Sequence, residues 1–323
     1  MANDDLASLG ESFPLPYDVP FTRAQALAAG LTDIRLRRLV KRGLLRRLVP
    51  GVYVSAQAPD DLELRTQALR LVVPEGCFVC DETAAWLHGA PQAMAPNTHL
   101  AVPPISFFRP ANGGRLRNGL VSSGERTLAP RDLMIIGGLS VTTPLRTALD
   151  LGRLRRPDQA LAAQDALLGL GVFTHEELLA AVERFARQRG VCQLRWLAPL
   201  ADGRAESAGE SVLRLRWYAA GLPRPQLQIE VVVDGVVKFR LDMGLEEWLF
   251  AAEYDGAAFH SSPEQRRHDD ERRGWMRSQR QWHIEVFLGE HVHGHEQDAD
   301  LRLGAAFQQA KTTIQRRRSF LLG

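Results

Sequence analysis

Acidic side chains in the last third of the sequence have the types and spacing that could hold a divalent metal ion. Asp242 stands in FRLDMG, and Glu253 and Asp255 stand in LFAAEYDG, where an apolar run ends. Carboxylates at the end of a buried strand are costly unless they are paired, hydrogen-bonded or bound to a cation. Three such groups on two adjacent strands could bind Mg²⁺, which would activate a water and neutralise charge on a phosphodiester.

Two further positions could complete this acidic site. Glu206 and Glu210 are four residues apart on a predicted helix and so share one face, and Glu210 is preferred because it lies nearer the helix interior. His260 follows the second strand and could act as a general acid or base. The hypothesis assigns the catalytic roles to Asp242, Glu253, Asp255 and His260, and the Mg²⁺ ligands to Asp242, Glu253 and Glu210. The alternative for Asp242 and Asp255 is that they are turn residues beside strand ends.

A second chemical feature is a strongly basic segment near the N-terminus. Residues 21 to 54 contain eight basic residues and one acid, a net charge of +7, which is typical of polyanion binding. A helix beginning after Thr32 would turn Leu36 and Leu39 inward and leave arginines on its outer face. The residues predicted to bind DNA are Arg35, Arg38, Lys41, Arg42, Arg46 and Arg47. The alternative is a solvated basic helix without a ligand.

The elements around the basic segment predict a winged helix. Thr22 is a suitable N-cap for a first short helix, and Gly30 suits a left-handed position at its end. A second helix follows Thr32, and short strands at 44–48 and 52–54 form a wing around Pro50 and Gly51. This arrangement would place the second helix in the major groove of DNA and the wing near the phosphates.

The elements around the acidic residues predict an α/β domain. The pattern favours a helix at 206–220, three strands, a helix at 263–280 and a final strand at 282–288. The three strands are predicted at 227–233, 236–242 and 248–254, with Asp234 and Gly235 forming a tight hairpin turn.

The whole sequence of 323 residues is too long for one ordinary core and predicts a multidomain α/β protein. The expected parts are a winged helix-turn-helix at 15–56, an α+β middle domain at 59–202, a restriction-endonuclease-like α/β domain at 206–290 and a C-terminal tail at 291–323. No apolar run reaches the roughly 18 residues of a membrane span, and three cysteines fit a reducing compartment. We therefore expect a cytoplasmic protein without membrane contact, in which Cys77 and Cys80 are small buried side chains.

The N-terminal two-thirds resembles a known family. The run FTRAQALAAGLTDIRLRRLVKRGLLRRLVPGVYV is similar to the winged-helix domain of AbiEi-type antitoxins. The segments CDETAAWLHGAP and VTTPLRTALDLGR resemble recurring segments of the same bacterial group. The resemblance implies DNA binding, often at the protein's own promoter, and a toxin partner in a toxin–antitoxin or phage-defence system.

Residues 206 to 289 resemble a second group, the very-short-patch repair branch of the PD-(D/E)XK endonucleases. The likeness runs through ESAGE, GLPRPQLQ, FRLDMG, EYDGAAFH, RRHDDERR and WHIEVF. It implies that Asp242 and Glu253 are metal ligands, with Asp255 and His260 beside them. It also implies a flanking helix carrying Arg266, Asp269 and Arg273.

One departure from the nuclease pattern leaves two functions open. The superfamily places Lys two residues after the second acid, whereas this sequence has Asp255. An Asp cannot supply that cation, so His260 or Arg273 substitutes for it or cleavage has been lost. The leading hypothesis is therefore a Mg²⁺-dependent endodeoxyribonuclease that the winged helix targets to DNA. The alternative is a non-catalytic transcriptional regulator or antitoxin.

Overall fold

A computed structural model describes residue 9, residues 13–90, residue 93, and residues 105–111, 121–256, 263–293 and 296–322. The described chain is a mixed α/β protein that divides into two compact units, residues 1–151 and 152–323. Within the described residues, no helix has the length and apolar character needed to cross a membrane.

The first unit opens with the predicted winged helix. Its elements are β1 (Phe21–Thr22), α1 (Arg23–Ala28), α2 (Asp33–Lys41), β2 (Leu45–Val49) and β3 (Val52–Ser55), with strand order β1-β3-β2. Thr22 and Thr32 cap the two helices as predicted, each hydroxyl accepting from the backbone N–H three residues on. Leu36 and Leu39 are buried against Phe21 and Leu45 in the core of this module.

The rest of the first unit is a sheet with helices. Its helices are α3 (Leu62–Arg70), α4 (Asp81–Leu87) and α5 (Pro144–Leu154), the last of which runs past the unit boundary. Its strands are β4 (Phe78–Val79), β5 (Ile105–Pro110), β6 (Val121–Ser122), β7 (Glu125–Arg126), β8 (Leu133–Ile136) and β9 (Leu139–Thr142). The described strands follow the order β6-β5-β4-β9-β8, and β7 also pairs with β5. Cys77 and Cys80 are buried as expected, while Cys192 in the second unit is exposed.

A buried chain of ion pairs holds this sheet to its helices. Arg126 lies 2.7 Å from Asp81 and 3.0 Å from Asp150, and Arg146 lies 2.8 Å from both Asp150 and Asp132. Each acid contacts at least one guanidinium, so none of these charges is buried alone. The segments CDETAAWLHGAP and VTTPLRTALDLGR supply Asp81, Arg146 and Asp150, which gives both segments a structural role.

The second unit begins with a helical layer. Its helices are α6 (Pro157–Leu168), α7 (His175–Val182), α8 (Val191–Leu197) and α9 (Ala208–Ala219). A buried ion pair between Asp165 of α6 and Arg214 of α9 joins the first of these helices to the last. The sequence predicted a domain boundary near residue 203, but α6 packs on α9 across that position. The helices assigned to the middle domain from sequence therefore belong to the same compact unit as the acidic residues.

The sheet of the second unit has the predicted order of elements. It comprises β10 (Gln226–Val233), β11 (Val236–Leu245), β12 (Phe250–Tyr254) and β13 (His283–Phe287), in the order β10-β11-β12-β13. The first three strands are antiparallel, and β12 pairs with β13 in parallel. Asp234 and Gly235 both have positive φ, 51° and 80°, as the predicted tight hairpin turn requires.

Helices cover both faces of this sheet. Phe250 and Ala252 of β12 face a core that includes Trp217 of α9, whereas Ala251 belongs to a core with Met276 of α10 (Pro263–Gln279). The predicted C-terminal tail differs from the structure. Residues beyond β13 form α11 (Gly289–Val292) and α12 (Ala299–Leu322), and Phe307 of α12 is buried in the Trp217 core. An apolar stripe along α12 explains the difference, because it must be covered to form a stable helix.

Candidate functional site

The first candidate surface is the outer face of α2, which we call the basic face and define as Arg37, Arg38, Lys41 and Arg42. All four side chains are exposed, while Leu36 and Leu39 are buried on the opposite side of the helix. Asp33, the one acid between residues 21 and 54, forms an ion pair with Arg23 and is also attracted by the charge of Arg37. The basic face thus presents four exposed cations that can receive a phosphate backbone.

The predicted DNA-binding residues fall into two groups. Arg38, Lys41, Arg42 and Arg47 are exposed and can reach a ligand. Arg46 is half-buried, and its Nη2 donates to the carbonyl oxygens of Ala58 at 2.9 Å and Pro59 at 3.4 Å. This contact gives Arg46 a structural task in holding the end of the wing. Its other N–H groups are not used by these two carbonyls, so the prediction that Arg46 contacts phosphate stays a prediction.

The geometry of α2 also changes which residues share its outer face. Arg35 is half-buried at the side of the helix, whereas Arg37, which was not among the predicted DNA-binding residues, is exposed. Ile34 is exposed as well, at 77 %. Successive residues are 100° apart on a helix of 3.6 residues per turn, so Ile34, Arg38 and Lys41 point away from Leu36 and Leu39. The helical spacing of the apolar residues Leu36 and Leu39 in the sequence could have identified this face.

The second candidate surface is the acidic cluster, which we define as Glu210, Asp242, Glu253 and Asp255. Asp242 lies in β11, and its Oδ2 accepts a hydrogen bond of 2.8 Å from the backbone N–H of Tyr254 in the neighbouring strand. Burial and the nearby charge of Glu210 raise the pKa of Asp242 to about 7. The structure thus brings Asp242 close to Glu210 and to the end of β12, as the sequence predicted.

Glu210 is held by the start of α9. Ser207 caps this helix by accepting from the backbone N–H of Glu210, and the Glu210 carboxylate accepts from the backbone N–H of Glu206 at 3.0 Å. The side chain of Gln228 donates to the same carboxylate at 2.9 Å. Burial raises the pKa of Glu210. Gln228 was not predicted as a site residue, although it stands in the segment GLPRPQLQ.

Two arginines of α10 neutralise Glu253. The Nη2 of Arg272 lies 2.9 Å and 2.8 Å from the two carboxylate oxygens, and the Nε of Arg273 lies 3.0 Å from Oε2. Glu253 is only 3 % exposed. A buried carboxylate needs such partners, and charge-assisted hydrogen bonds are the strongest that side chains can supply. Arg272 was not identified from sequence, since several arginines of this helix could have faced the sheet.

The remaining predicted catalytic residues are partly described. The carboxylate of Asp255 lies 3.5 Å from Nη2 of Arg273, and its backbone N–H donates to the carbonyl of Phe287 at 2.8 Å. Arg273 therefore stands beside the position where the nuclease pattern has a lysine. His260 lies outside the described residues, as do the side chains of Arg266 and Asp269.

The three carboxylates predicted to hold Mg²⁺ do not gather around one point in this structure. Within the described residues, the carboxylate oxygens of Glu210, Asp242 and Glu253 do not all lie within 4.8 Å of one another. Both oxygens of Glu253 are already occupied by guanidinium groups. A cation that used this carboxylate would compete with Arg272 and Arg273 for its oxygens.

A different group does meet the distance condition for a metal. His291, Glu296 and Asp298 have ligand atoms within 4.8 Å of one another. The Nδ1 of His291, however, accepts a hydrogen bond of 2.9 Å from the backbone N–H of Leu288, which places the imidazole proton on Nε2. That nitrogen lies 3.5 Å from Glu296. The ring is thus arranged to donate to Glu296 and has no lone pair left for a metal.

Comparisons with known proteins identify the family. Residues 19–56 match a protein family described as a transcriptional regulator, AbiEi antitoxin. Residues 76–200 match a family described as the AbiEi antitoxin C-terminal domain. The chain belongs to the AbiEi antitoxin family. The first match covers the winged helix with its basic face, and the second covers the segments that supply the buried ion pairs. This confirms the resemblance predicted from the N-terminal sequence.

Two relatives of this AbiEi protein come from Mycobacterium tuberculosis. Uncharacterized protein Rv2248 of strain H37Rv and Uncharacterized protein MT2308 of strain CDC 1551 are each 33 % identical over 249 residues. The alignment covers 77 % of this chain and 87 % of each relative. The solved structure of RV2827C protein from the same organism is 17 % identical, with a TM-score of 0.32, and covers 56 % of this chain and 71 % of that chain. That score is too low to support a shared fold.

The family matches stop short of the acidic cluster. The second match ends at residue 200, and Glu210 is the first residue of the cluster. The resemblance of residues 206 to 289 to endonucleases therefore gains no support from these matches. The order of helices and strands agrees with that resemblance, but the side chains of the cluster are engaged in ion pairs and hydrogen bonds.

Proposed function

We propose that this AbiEi-family protein is a DNA-binding transcriptional regulator of the antitoxin type, with α2 as the helix that enters the major groove. The observation that carries the proposal is the basic face, whose four cations are exposed on a helix with a buried opposite side. The N-terminal residues of such a helix contact base edges, and flanking cations contact phosphates. Arg47 on β2 adds a phosphate contact from the wing.

A salt titration of DNA binding tests this proposal. The probe is a fluorescent duplex that carries the sequence upstream of the protein's own reading frame, because autoregulation is common among such antitoxins. We expect the triple variant Arg37→Ala, Arg38→Ala, Lys41→Ala to bind at least tenfold more weakly at low salt. The slope of log affinity against log salt should fall by about 0.9 for each phosphate that the variant no longer neutralises.

A charge-matched control separates the basic face from general attraction. Arg187, Arg189 and Arg224 are exposed residues of the second unit, and replacing all three with Ala removes the same charge. This control should keep the affinity and slope of the unaltered protein. Equal weakening by both triple variants would show that the basic face is not the DNA-reading surface.

The second candidate function is a Mg²⁺-dependent endonuclease, which the element order of residues 206 to 289 favours. Asp242, Glu253 and Glu210 would hold the metal ion. A cation near Asp255 would take the place of the lysine of the nuclease pattern. The test is incubation of supercoiled plasmid with the protein and Mg²⁺, beside Asp242→Ala and Glu253→Ala. Cleavage that both variants abolish would establish the endonuclease, whereas intact plasmid throughout would leave regulation as the function.

A toxin partner is a further part of the proposal, and it rests on the family alone. The product of the neighbouring reading frame is the partner to test. Co-expression should rescue growth if that product is toxic and this chain is its antitoxin. Growth arrest that persists during co-expression would remove the antitoxin role and leave DNA binding unaffected.

A further inference from the structure

One residue of the outer face of α2 does not fit a purely electrostatic surface. Ile34 is 77 % exposed, the highest value of any large apolar side chain among the described residues. It is the second residue of α2 and lies outside the hydrophobic core of the winged helix. The side chain lies outside that core and is therefore accessible for an apolar contact with a ligand.

Cations surround Ile34 on the exposed side of the helix. Arg37 and Arg38 lie three and four residues further on, and Lys41 lies one turn beyond them. Asp33, the nearest acid, is paired with Arg23. A symmetric contact with a second copy would bring like charges together around the isoleucine, which opposes that arrangement. The complementary surface is a polyanion that also presents an apolar group.

The major groove of DNA has this combination. Thymine places its C5-methyl group there, and it is the one unmodified base of DNA that presents a methyl group in that groove. The first turn of a recognition helix comes closest to the base edges, which suits the short side chain at position 34.

We propose that Ile34 contacts the C5-methyl group of a thymine and so sets one base of the recognised sequence, while the basic face holds the phosphates. This inference rests on the proposed DNA-binding function. It assigns affinity to the cations and sequence preference to an uncharged residue. The two contributions can therefore be separated by experiment.

The experiment removes either the methyl group of the thymine or the side chain of Ile34 beyond its Cβ. Duplexes are selected by the full-length protein from a pool with about twenty randomised base pairs, and the best duplex is remade with deoxyuridine in place of each thymine in turn. We expect one such replacement to weaken binding about four- to tenfold, because a buried methyl group has that effect. Ile34→Ala should weaken binding to the thymine duplex by a similar factor and respond less than twofold to the same replacement.

Two controls define the outcomes. Ile34→Val keeps a β-branched apolar side chain and should retain most of the sensitivity to deoxyuridine, and Ile34→Ala should keep the salt slope of the unaltered protein. A deoxyuridine effect that is equally large in Ile34→Ala would overturn the inference, as would a selected duplex in which no thymine matters. Failure to retain any duplex would instead overturn the proposed function.

Discussion

The ion pairs of Glu253 give the acidic cluster its electrostatic character. The carboxylate is buried, and its charge is balanced by Arg272 and Arg273 from α10. Such an arrangement holds the helix against β12 without a metal. Removing one cation leaves a buried anion with fewer partners, and that loss is usually larger than the net value of the pair itself.

Replacing Arg272 with alanine should therefore destabilise the second unit by about 1–3 kcal/mol. The measurement is guanidinium unfolding followed by tryptophan fluorescence, since five of the six tryptophans lie beyond residue 151. Arg267→Ala is the control, because Arg267 is exposed on the same helix and lies 3.7 Å from an exposed Glu271. The control should behave like the unaltered protein. Equal stability of both variants would contradict the role assigned to Arg272.

The raised pKa of Asp242 predicts a dependence of stability on pH. Its pKa is about 7 in the folded chain, against 3.8 for an unperturbed aspartate carboxyl, so the folded state holds this proton more tightly. Between about pH 4 and pH 7 the folded state binds more protons than the unfolded state. The free energy of unfolding should consequently fall as pH rises, by up to about 1.4 kcal/mol per pH unit from this residue.

Asp242→Asn removes this titration and keeps an oxygen that can accept from Tyr254. The stability difference between the variant and the unaltered protein should grow in favour of the variant from about pH 4.5 to pH 7, as measured by guanidinium unfolding at each pH. Parallel pH profiles for the two proteins would show that Asp242 is already ionised throughout this range.

Some residues of the sites were predictable from sequence and others were not. Asp242 and Glu253 were placed on adjacent strands because the residue patterns predict two consecutive strands at 236–242 and 248–254. Arg272 depends on the rotation of α10 against the sheet, which a helix rich in charges on all sides does not reveal. The outward direction of Ile34, by contrast, could have been predicted, because the helical positions of Leu36 and Leu39 place it on the opposite face.

At the scale of elements, a glycine sets the approach of α9 to β12. A Cβ added at Gly209 would lie 2.0 Å from Cε1 of Tyr254, so the helix and the strand meet where no side chain fits. This close approach places Glu210, the next residue, beside Asp242. The position of the Glu210 carboxylate therefore depends on the absence of a side chain at Gly209.

Gly209→Ala should destabilise the second unit by about 1–3 kcal/mol through overpacking against Tyr254. Gly274 in α10 is the matched control, since a Cβ there meets nothing within 4 Å. Gly274→Ala should leave stability unchanged or raise it by up to about 1 kcal/mol, because alanine is the better helix former. Thermal unfolding of both variants measures the contrast, and a stable Gly209→Ala variant would argue against the close contact.

Sequence patterns predicted the strands and the hairpin more reliably than the end of the chain. Asp234 and Gly235 form the tight turn because both residue types tolerate positive φ. α12 was assigned to a tail, although Leu303, Ala306, Phe307 and Ala310 recur at helical spacing and are all buried. The other residues of α12 are mostly polar or arginine, so the apolar spacing is not evident from the sequence. It becomes evident when the surface that the helix packs against is known.

At the scale of the whole molecule, charge is distributed unevenly along the chain. The segment 21–54 has a net charge of +7, although the complete chain has only +2. The remaining segments are thus acidic in sum, and attraction to DNA is concentrated in the winged helix. This distribution is consistent with one DNA-binding module attached to a larger body that serves another purpose.

Truncation separates the two units by function. Ending the chain after residue 298 removes α12 and uncovers the core around Trp217 and Phe250. We expect the second unit to lose its near-ultraviolet circular dichroism, while DNA affinity changes less than threefold. Ending the chain after residue 318 removes only the last turn and should preserve both properties. Loss of DNA binding in the shorter protein would show that the first unit needs the second.

The burial of two cysteines has a practical consequence for studying this molecule in solution. Cys77 and Cys80 are buried, and burial raises the pKa of the Cys80 thiol well above its usual value. Cys192 at the start of α8 is exposed. A thiol-reactive dye should accordingly label the native protein once per chain and the denatured protein three times, as mass spectrometry can count. The natural sequence thus already provides a single attachment point for a fluorescent reporter.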